Sequence, residues 1–195
     1  MGINPVMLRG KFVQLEPLGE EHITGLAEVA NDPIIWKYML YGNVDTVEKM
    51  GDWVHDMLNR QAAGTDLPFA VRQLQTGLLV GATRYLEIRL PQRGLEIGGT
   101  WYGTQYQRTV VNTETKLLLL QYAFETLGCI RVQIKTDSRN ERSLKAIERL
   151  GAVREGTLRN HMVLENGVIR HSVMFSILDN EWQEVKKNLQ ERLAQ

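Results

Sequence analysis

The sequence predicts a mixed α/β fold: a mostly antiparallel seven-stranded sheet with one parallel strand pair at its centre and helices on its faces. Three observations support this prediction. Segments of alternating polarity and segments of helical periodicity follow one another along the chain. Two predicted strands are joined through a helix, which makes them parallel neighbours. Two other strand pairs are joined through short glycine-containing turns, which makes them antiparallel hairpins.

Length and composition predict a single domain spanning residues 1–195. The chain is 43% hydrophobic, which is enough to bury one core. Twenty-three basic residues balance 23 acidic ones, so no overall field attracts nucleic acid or an anionic membrane. The sequence shows neither an apolar run of membrane-spanning length nor the pattern of a signal peptide. We therefore expect a cytoplasmic protein whose partners are neither nucleic acid nor membrane.

Cysteine and histidine usage predicts a protein without disulfides or bound metal. The lone cysteine, Cys129, excludes an intrachain disulfide, and the four histidines lack zinc-finger spacing. Cys129 stands at the head of an apolar strand, where cysteine is more often a small core residue than a nucleophile.

The N-terminal part of the chain predicts one strand and two helices. Residues 12–18 alternate in polarity, as in a half-buried strand. An apolar helical face follows over residues 23–30. Asp45 and Glu48 have the spacing of a capping box, and they predict the start of a second amphipathic helix that extends to Ala63.

The middle of the chain predicts three strands, over residues 68–74, 78–90 and 94–102. The first two are joined by Gln75-Thr76-Gly77, a short loop that favours a hairpin. Gly98-Gly99 lies inside the third strand, and paired glycines there indicate a bulge or a backbone that another group approaches closely.

Residues 100–127 predict a strand end, a polar loop and an amphipathic helix, and the chain then crosses to a strand over residues 130–136. The apolar stripe of this helix ends at Gly128 and consists of Leu117, Leu120, Phe124 and Leu127. The first turn is polar and presents unpaired NH groups at the positive end of the helix dipole. We expect it to bind a phosphate group; its polar residues are Arg108, Thr109, Asn112 and Thr113.

The C-terminal part predicts a short helix, a hairpin and a final helix. The hairpin strands span residues 152–164 and 168–178 and flank Asn166-Gly167, a strong hairpin signal. Asp179 is predicted to cap the final helix, which covers residues 179–195.

Four short motifs occur in order along this framework. They are Glu96-Ile97-Gly98, Thr113-Glu114, Asn140-Glu141-Arg142-Ser143 and Leu150-Gly151-Ala152. In these motifs and in the order of its elements, the chain resembles the GNAT superfamily of acyl-coenzyme A dependent N-acyltransferases. Within that superfamily it most resembles the branch that acetylates the N-terminal alanine of ribosomal proteins.

The resemblance implies acetyl-coenzyme A (acetyl-CoA) as co-substrate and a loop whose backbone NH groups cradle the pyrophosphate. That loop is Gln107–Asn112 here, with Val110 and Asn112 in place of the family's glycine and small residue. A valine still donates its NH if its φ is negative, and Asn112 and Arg108 can add polar contacts. The implied cofactor-binding residues are Thr100, Trp101, Tyr102, Gln107, Arg108, Thr109, Val110, Val111, Asn112, Thr113, Asn140 and Ser143.

The resemblance further implies direct acyl transfer from a thioester to an amine, without a covalent enzyme intermediate. A backbone NH at Trp101 or Tyr102 would stabilise charge on the thioester oxygen. Ser143 is implied to protonate the leaving thiolate, and Asn140 to contact the pantetheine arm. Each also has a structural alternative: the serine can form local hydrogen bonds, and the asparagine can be a helix cap.

The base that deprotonates the amine stays open between two candidates. The branch's glutamate on the sixth strand aligns with Met162, so that carboxylate is missing. His161 beside it can titrate near neutral pH, although adjacent strand residues face opposite ways. Glu96 is the second candidate, with a hydrogen-bonded structural role as its alternative; we expect its face to carry Thr100 as well.

The acceptor is implied to be a small-molecule amine or a protein N-terminus, bound by Trp36, Tyr38 and Tyr41; these aromatic residues can alternatively belong to the core. Three other functions stay open: a non-catalytic acyl-CoA sensor or binding module, an aminoglycoside-type relative and a succinyl-transferring relative. Relatives often pair through sheet edges, so the resemblance also implies a homodimer.

Overall fold

Eight strands form one sheet in the computed structural model, which describes residues 3–195 and leaves the first two residues of the predicted domain outside it. The strands are β1 (Leu8–Arg9), β2 (Val13–Pro17), β3 (Leu67–Gln73), β4 (Leu79–Arg89), β5 (Gly94–Tyr102), β6 (Arg131–Asp137), β7 (Val153–Val163) and β8 (Ile169–Leu178). Their order is β1-β2-β3-β4-β5-β6-β8-β7, and every neighbouring pair is antiparallel except β5 and β6. The predicted class, the parallel pair and both hairpins are confirmed.

The sheet has one strand more than the seven predicted, so that part of the prediction is wrong. The additional strand is β1, whose two residues pair with Gln14 and Leu15 of β2. Two residues are too few to show the alternation by which a strand is recognised in a sequence.

Five α-helices accompany the strands in residues 3–195: α1 (Ile23–Val29), α2 (Val47–Ala62), α3 (Val110–Gln121), α4 (Glu141–Arg149) and α5 (Trp182–Ala194). Helices α3, α4 and α5 contribute to a hydrophobic cluster on one face of the sheet. Helices α1 and α2 contribute to a second cluster on the opposite face. Large sheet residues such as Phe69, Tyr85 and Phe175 are fully buried between these layers, and each such side chain stabilises the fold by roughly 1.5–3 kcal/mol.

Two predicted helix caps are wrong by one or two residues. Helix α2 is capped by Thr46, whose hydroxyl accepts a hydrogen bond from the Lys49 NH at 3.2 Å, while Asp45 pairs with the Lys49 ammonium group. Helix α5 begins after Glu181, because the Asp179 carboxylate accepts the NH of its neighbour Asn180 in the preceding turn.

The predicted central helix is confirmed, but its last turn is wider than an α-helix. Residues Tyr122–Thr126 form a π-helical turn after α3, in which the Leu127 NH donates to the Tyr122 carbonyl at 3.0 Å. The turn ends at Gly128, which has the left-handed conformation expected of a helix terminator (φ 65°).

Glu114 of the Thr113-Glu114 motif connects α3 to the N-terminal strands. Its buried carboxylate accepts hydrogen bonds from the backbone NH groups of Lys11, Phe12 and Val13 at 2.8, 2.6 and 2.7 Å. Glu114 therefore connects the turn between β1 and β2 to α3 through three hydrogen bonds.

Strands β5 and β6 pair over only a short distance and then separate. Their register runs from Gly94 opposite Arg131 to Glu96 opposite Gln133, and no pairing continues beyond that point. The β6-facing edge of β5 is consequently left without a partner strand from Ile97 onwards, which opens a gap in the sheet.

The predicted bulge in β5 is confirmed and reverses which face its later residues occupy. Arg84 of β4 pairs with Gly98 and Ala82 pairs with Trp101, so β5 contains one extra residue at this point. Gly99 has φ 57°, a conformation that favours glycine. Because one inserted residue inverts the side-chain alternation, Thr100 faces α3, whereas Glu96 faces the opposite layer. The expectation that Glu96 and Thr100 share a face is therefore wrong.

None of the helices within residues 3–195 is long and apolar enough to cross a lipid bilayer.

Candidate functional site

A cleft of about 900 Å³ opens where β5 and β6 separate. Its walls come from these two strands, the starts of α3 and α4, and the segment between α1 and α2. The predicted site residues on its walls are Tyr38, Tyr41, Glu96, Thr100, Trp101, Tyr102, Gln107, Arg108, Thr109, Asn112, Thr113, Asn140 and Ser143. The predicted residues that do not line it are Trp36, Val110, Val111 and His161.

The first turn of α3 forms one end of the cleft and is suited to an anion. Thr109 is the N-cap, and its hydroxyl accepts a hydrogen bond from the Val111 NH at 3.3 Å. The first-turn NH groups have no acceptor within a helix, and the positive end of the helix dipole adds to their attraction for phosphate. Val110 is the first helical residue, so it has the negative φ that allows a valine at this position. Val110 itself does not line the cleft.

The left-handed residue of this loop is Arg108, with φ 61°. A non-glycine residue in this conformation is uncommon and strained. The positive φ that the sequence analysis considered for Val110 therefore occurs two residues earlier, at the exposed Arg108. The Arg108 guanidinium can reach a bound phosphate.

The start of α4 lies opposite α3 across the cleft. Asn140 caps this helix by accepting the Ser143 NH at 3.1 Å. Arg142 donates to the Gln107 side-chain oxygen, and Gln107 in turn donates to the Tyr102 carbonyl at 3.0 Å. These bonds connect the loop before α3 to the end of β5 and to α4, which holds the three elements around the cleft in a defined arrangement.

Ser143 is half-buried in the cleft wall, and its hydroxyl has no hydrogen-bond partner among residues 3–195. A hydroxyl in this state can donate to a bound group. Asn140 uses its side-chain oxygen for the cap and retains its amide NH₂ for other contacts.

Glu96 is almost fully buried at the base of the gap, where the pairing of β5 and β6 ends. One carboxylate oxygen lies 2.9 Å from the Lys135 ammonium, and the other accepts from Gln133 at 2.8 Å. Its charge is therefore compensated, and its orientation is fixed by two residues of β6.

The expected alternation of His161 and Met162 is interrupted, because β7 is irregular between Leu158 and Met162 and Asn160 has φ 50°. Met162 pairs with Arg170, and the His161 imidazole contacts Ser172, to which Arg170 also donates, so both side chains lie on the Arg170 side of the hairpin. Met162 lines the cleft, whereas the His161 imidazole lies 3.0 Å from the Ser172 hydroxyl and outside the cleft walls. Burial, followed by the neighbouring Lys135 and Arg170 cations, lowers the pKa of His161, so the ring is neutral at physiological pH.

The predicted aromatic residues divide between cleft and core. Tyr38 and Tyr41 line the cleft. Trp36 is buried, donates its indole NH to the Ala30 carbonyl at 2.9 Å and lies 5.1 Å from Trp101 between ring centroids. Trp36 therefore belongs to the hydrophobic core next to the cleft and does not line the cleft itself.

Sequence reasoning missed three buried cations on the cleft walls: Arg84, Lys116 and Arg170. Lys116 falls three and four residues after Thr113 and Asn112, on one helical face with them, and this spacing could have revealed it. Burial lowers the pKa of its ammonium group to about 7. Arg84 forms a buried ion pair with Asp66 at 2.8 Å, a long-range contact that no local pattern announces.

Within residues 3–195 no group of three or more histidine, cysteine, aspartate or glutamate residues is placed to hold a metal ion.

Comparison with known proteins finds similarity over almost the whole chain. The family model described as "Acetyltransferase (GNAT) domain" matches residues 13–153. A Bacillus subtilis (strain 168) protein, provisionally named ribosomal N-acetyltransferase YdaF, is 27% identical over 175 residues, which are 87% of this chain and 91% of the relative. A provisionally described acetyltransferase from T. thermophilus is 34% identical with TM-score 0.89, covering 99% of this chain and 100% of that one. A GCN5-related N-acetyltransferase from Brucella melitensis is 27% identical with TM-score 0.91, covering 98% and 86%.

Proposed function

The chain belongs to the GNAT acetyltransferase family, and from that premise we propose that it is a single-domain enzyme that transfers an acetyl group from acetyl-CoA directly to a primary amine. One observation carries the proposal: the anion-binding first turn of α3, the free hydroxyl of Ser143 and the polar residues around Glu96 all line the same cleft. Such a cleft can hold a phosphorylated cofactor at one end and an acceptor at the other.

In this proposal the pyrophosphate of acetyl-CoA binds at α3. The NH groups of Val110 and Asn112 and the guanidinium of Arg108 contact its oxygens. The pantetheine arm lies along the unpaired edge of β5, where backbone groups have no partner strand. This arrangement directs the thioester towards the gap between β5 and β6.

The reaction requires one new bond, one broken bond and two proton movements. The neutral amine nitrogen attacks the thioester carbon, and a backbone NH at Trp101 or Tyr102 supports the negative charge that develops on the carbonyl oxygen. The carbon–sulfur bond then breaks, and the thiolate takes a proton from the Ser143 hydroxyl, which regains a proton from solvent. The proton lost by the amine passes to Glu96 directly or through water, and Glu96 then releases it to solvent. Glu96 is preferred to His161 for this role because only Glu96 lines the cleft.

We propose that the acceptor is a protein N-terminus or a small-molecule amine that packs against Tyr38 and Tyr41. The name of the Bacillus subtilis relative refers to ribosomal acetylation and supports a protein acceptor. Met162 stands on the wall where the branch has a glutamate, and this observation favours the alternative of an acyl-CoA binding module without turnover.

The proposal is tested by binding and turnover together. Acetyl-CoA is titrated by calorimetry, and thiol release is followed with a panel of peptides and small amines. Ser143→Ala is expected to lower kcat roughly a hundredfold while acetyl-CoA still binds, which is the lower range of a general-acid contribution. Ser138→Ala is the matched control, because Ser138 lies near the start of α4 but not on the cleft wall.

Two outcomes would decide against the enzyme. Absence of acetyl-CoA binding at millimolar concentration contradicts the whole proposal. Binding without thiol release for every amine favours the binding module.

The expectation of a cytoplasmic homodimer is retained as part of this proposal. The edge strand β7 exposes Val153, Leu158 and Val163, and an unpaired edge with apolar side chains is able to pair with a second copy. Light scattering coupled to size-exclusion chromatography gives the mass directly; a monomer at all concentrations contradicts the dimer.

A further inference from the structure

Arg170 is a buried cation on the cleft wall without an anionic partner. Its side chain is 7% exposed, its Nε donates to the Ser172 hydroxyl at 3.0 Å, and one terminal nitrogen donates to the Tyr38 carbonyl at 3.3 Å. No carboxylate among residues 3–195 lies within 4 Å of its guanidinium nitrogens. Arginine has five N–H donors, so several of them remain for another group.

The carboxylates nearest to Arg170 are already paired with other cations. Asp137 accepts both guanidinium contacts of Arg139, one of them at 2.6 Å, and Glu96 pairs with Lys135 at 2.9 Å. These ion pairs cancel, and the His161 imidazole nearby is neutral at physiological pH because burial lowers its pKa. Arg170 therefore leaves this part of the cleft with one uncompensated positive charge.

A buried positive charge without a counter-ion destabilises the protein unless a bound anion compensates it. The planar guanidinium fork matches a carboxylate through two parallel hydrogen bonds, which makes a carboxylate its most complementary small anion. The bond to Tyr38 also connects Arg170 to the segment between α1 and α2, which carries the proposed acceptor wall. An anion at Arg170 would thus lie beside the acceptor and beyond the end of β6.

We propose that Arg170 binds a carboxylate carried by the substrate, so that this enzyme acts on an anionic acceptor or transfers an anionic acyl group. The inference rests on the proposed acyl transfer and specifies its substrate class. It opposes an aminoglycoside-type acceptor, because a polycation would meet the positive charge of Arg170. The carboxylate has two possible sources, the amine and the acyl chain, and the same contact serves both.

A binding experiment tests the subsite without requiring turnover. Succinate and its uncharged analogue succinamide are titrated into the coenzyme A complex of the wild type, Arg170→Gln and Arg170→Lys. We expect the wild type to prefer succinate, and Arg170→Gln to lose that preference by roughly ten- to a hundredfold, the range of a hydrogen bond to a charged group. Arg170→Lys keeps the charge but loses the fork, so an intermediate preference is expected. If Arg170→Gln does not fold, the comparison of Arg170→Lys with the wild type tests the subsite.

Turnover then separates the two sources of the carboxylate. One arm compares acetyl-CoA with succinyl-CoA on a neutral amine. The other arm compares alanine with alaninamide, and Ala-Glu peptides with Ala-Gln peptides, using acetyl-CoA. A preference in kcat/KM that Arg170→Gln abolishes in the first arm assigns the carboxylate to the acyl chain, and in the second arm to the acceptor. A purely structural role would lower all rates alike without changing these ratios.

Arg159→Gln is the matched control, since Arg159 is exposed on β7 of the same hairpin and does not line the cleft. The inference is overturned if the wild type binds succinate and succinamide equally, or if its preference survives in Arg170→Gln. If succinate binding depends on Arg170 but no amine is acetylated, the subsite stands and the proposed catalysis fails.

Discussion

The Lys116 ammonium group donates a hydrogen bond of 2.8 Å to the Thr100 hydroxyl, which connects α3 to β5 just beyond its bulge. The Thr100 oxygen also lies 2.7 Å from the Thr83 hydroxyl. Among residues 3–195, no carboxylate comes within 4 Å of Lys116. A buried amine whose hydrogen-bond partner is a single hydroxyl group is destabilised in its charged form, and this arrangement has measurable consequences for folding.

Replacing Lys116 is expected to stabilise the protein near neutral pH. Burial lowers the pKa of Lys116 from 10.5 to about 7. Between these two values the unfolded state binds the additional proton, so the stability contributed by this site rises with pH. Below about pH 7 Lys116 is protonated in both the folded and the unfolded state, and the folded state then bears the full free-energy cost of burying its charge. Lys116→Met should therefore gain about 4 kcal/mol in pH-dependent unfolding free energy near pH 7, at about 1.4 kcal/mol per pKa unit, and this gain should vanish near pH 10.5.

Urea unfolding of both proteins at several values between pH 6 and 10 measures this difference. Lys145→Met is the control, because Lys145 is exposed on α4 and its replacement removes no buried charge. A difference between Lys116→Met and wild type that does not vary with pH would contradict the prediction.

Replacing Glu114 is expected to loosen the N-terminal strands. Glu114→Ala leaves the backbone NH groups of Lys11, Phe12 and Val13 without their acceptor. Unsatisfied donors of this kind cost about 1–3 kcal/mol each, so we expect a loss of at least about 2 kcal/mol in the free energy of unfolding. Chemical denaturation measures the loss, and hydrogen exchange should locate it at β1 and β2. Glu148→Ala, at an exposed position of α4, should change stability by less than about 0.5 kcal/mol; equal effects would refute the assignment.

Gly81 is expected to tolerate no side chain. A Cβ at this position would lie 2.1 Å from the Trp101 carbonyl oxygen and 2.8 Å from the Tyr102 Cα. These are backbone atoms of β5, so Gly81→Ala must displace the strand that forms the cleft wall, at about 3 kcal/mol or more. Thermal unfolding and acetyl-CoA titration should both show the damage.

Gly156→Ala provides the comparison for Gly81, because nothing lies within 4 Å of the added methyl group there. We expect near wild-type stability and acetyl-CoA affinity for this control. Wild-type behaviour of Gly81→Ala would show that β4 and β5 are not packed as closely as described.

Arg108 combines backbone strain with a charge beside the proposed phosphate site. At φ 61°, glycine avoids the strain that arginine and alanine both experience, about 1 kcal/mol for a non-glycine residue. Arg108→Gly and Arg108→Ala should therefore lower acetyl-CoA affinity to a similar extent through the lost charge. The alanine variant keeps the strain and should be about as stable as the wild type, whereas the glycine variant should be more stable. Calorimetry and urea unfolding separate the two effects; unchanged affinity in both variants would exclude Arg108 from cofactor binding.

Much of the fold was predictable because its signals are local. Alternating polarity marked the long strands, the Asn166-Gly167 turn marked the last hairpin, and the crossover helix required β5 and β6 to be parallel. The two-residue β1 and the exact capping residues were not predictable, since single hydrogen bonds such as that between Thr46 and Lys49 decide them. In the site, most of the predicted phosphate-loop residues line the cleft, because a helix N-terminus is recognisable from its sequence.

The order of the elements, the parallel strand pair and the polar first turn of α3 follow from the amino-acid sequence alone. The three-dimensional fold was needed to learn which charges remain without a partner and which face each residue of β5 occupies. One inserted residue at Gly99 turns Thr100 towards Lys116 and away from Glu96. The pairing of Asp137 with Arg139 and of Glu96 with Lys135 leaves Arg170 unmatched. Periodicity reports on neighbours along the chain, whereas these relationships join residues that folding alone brings together.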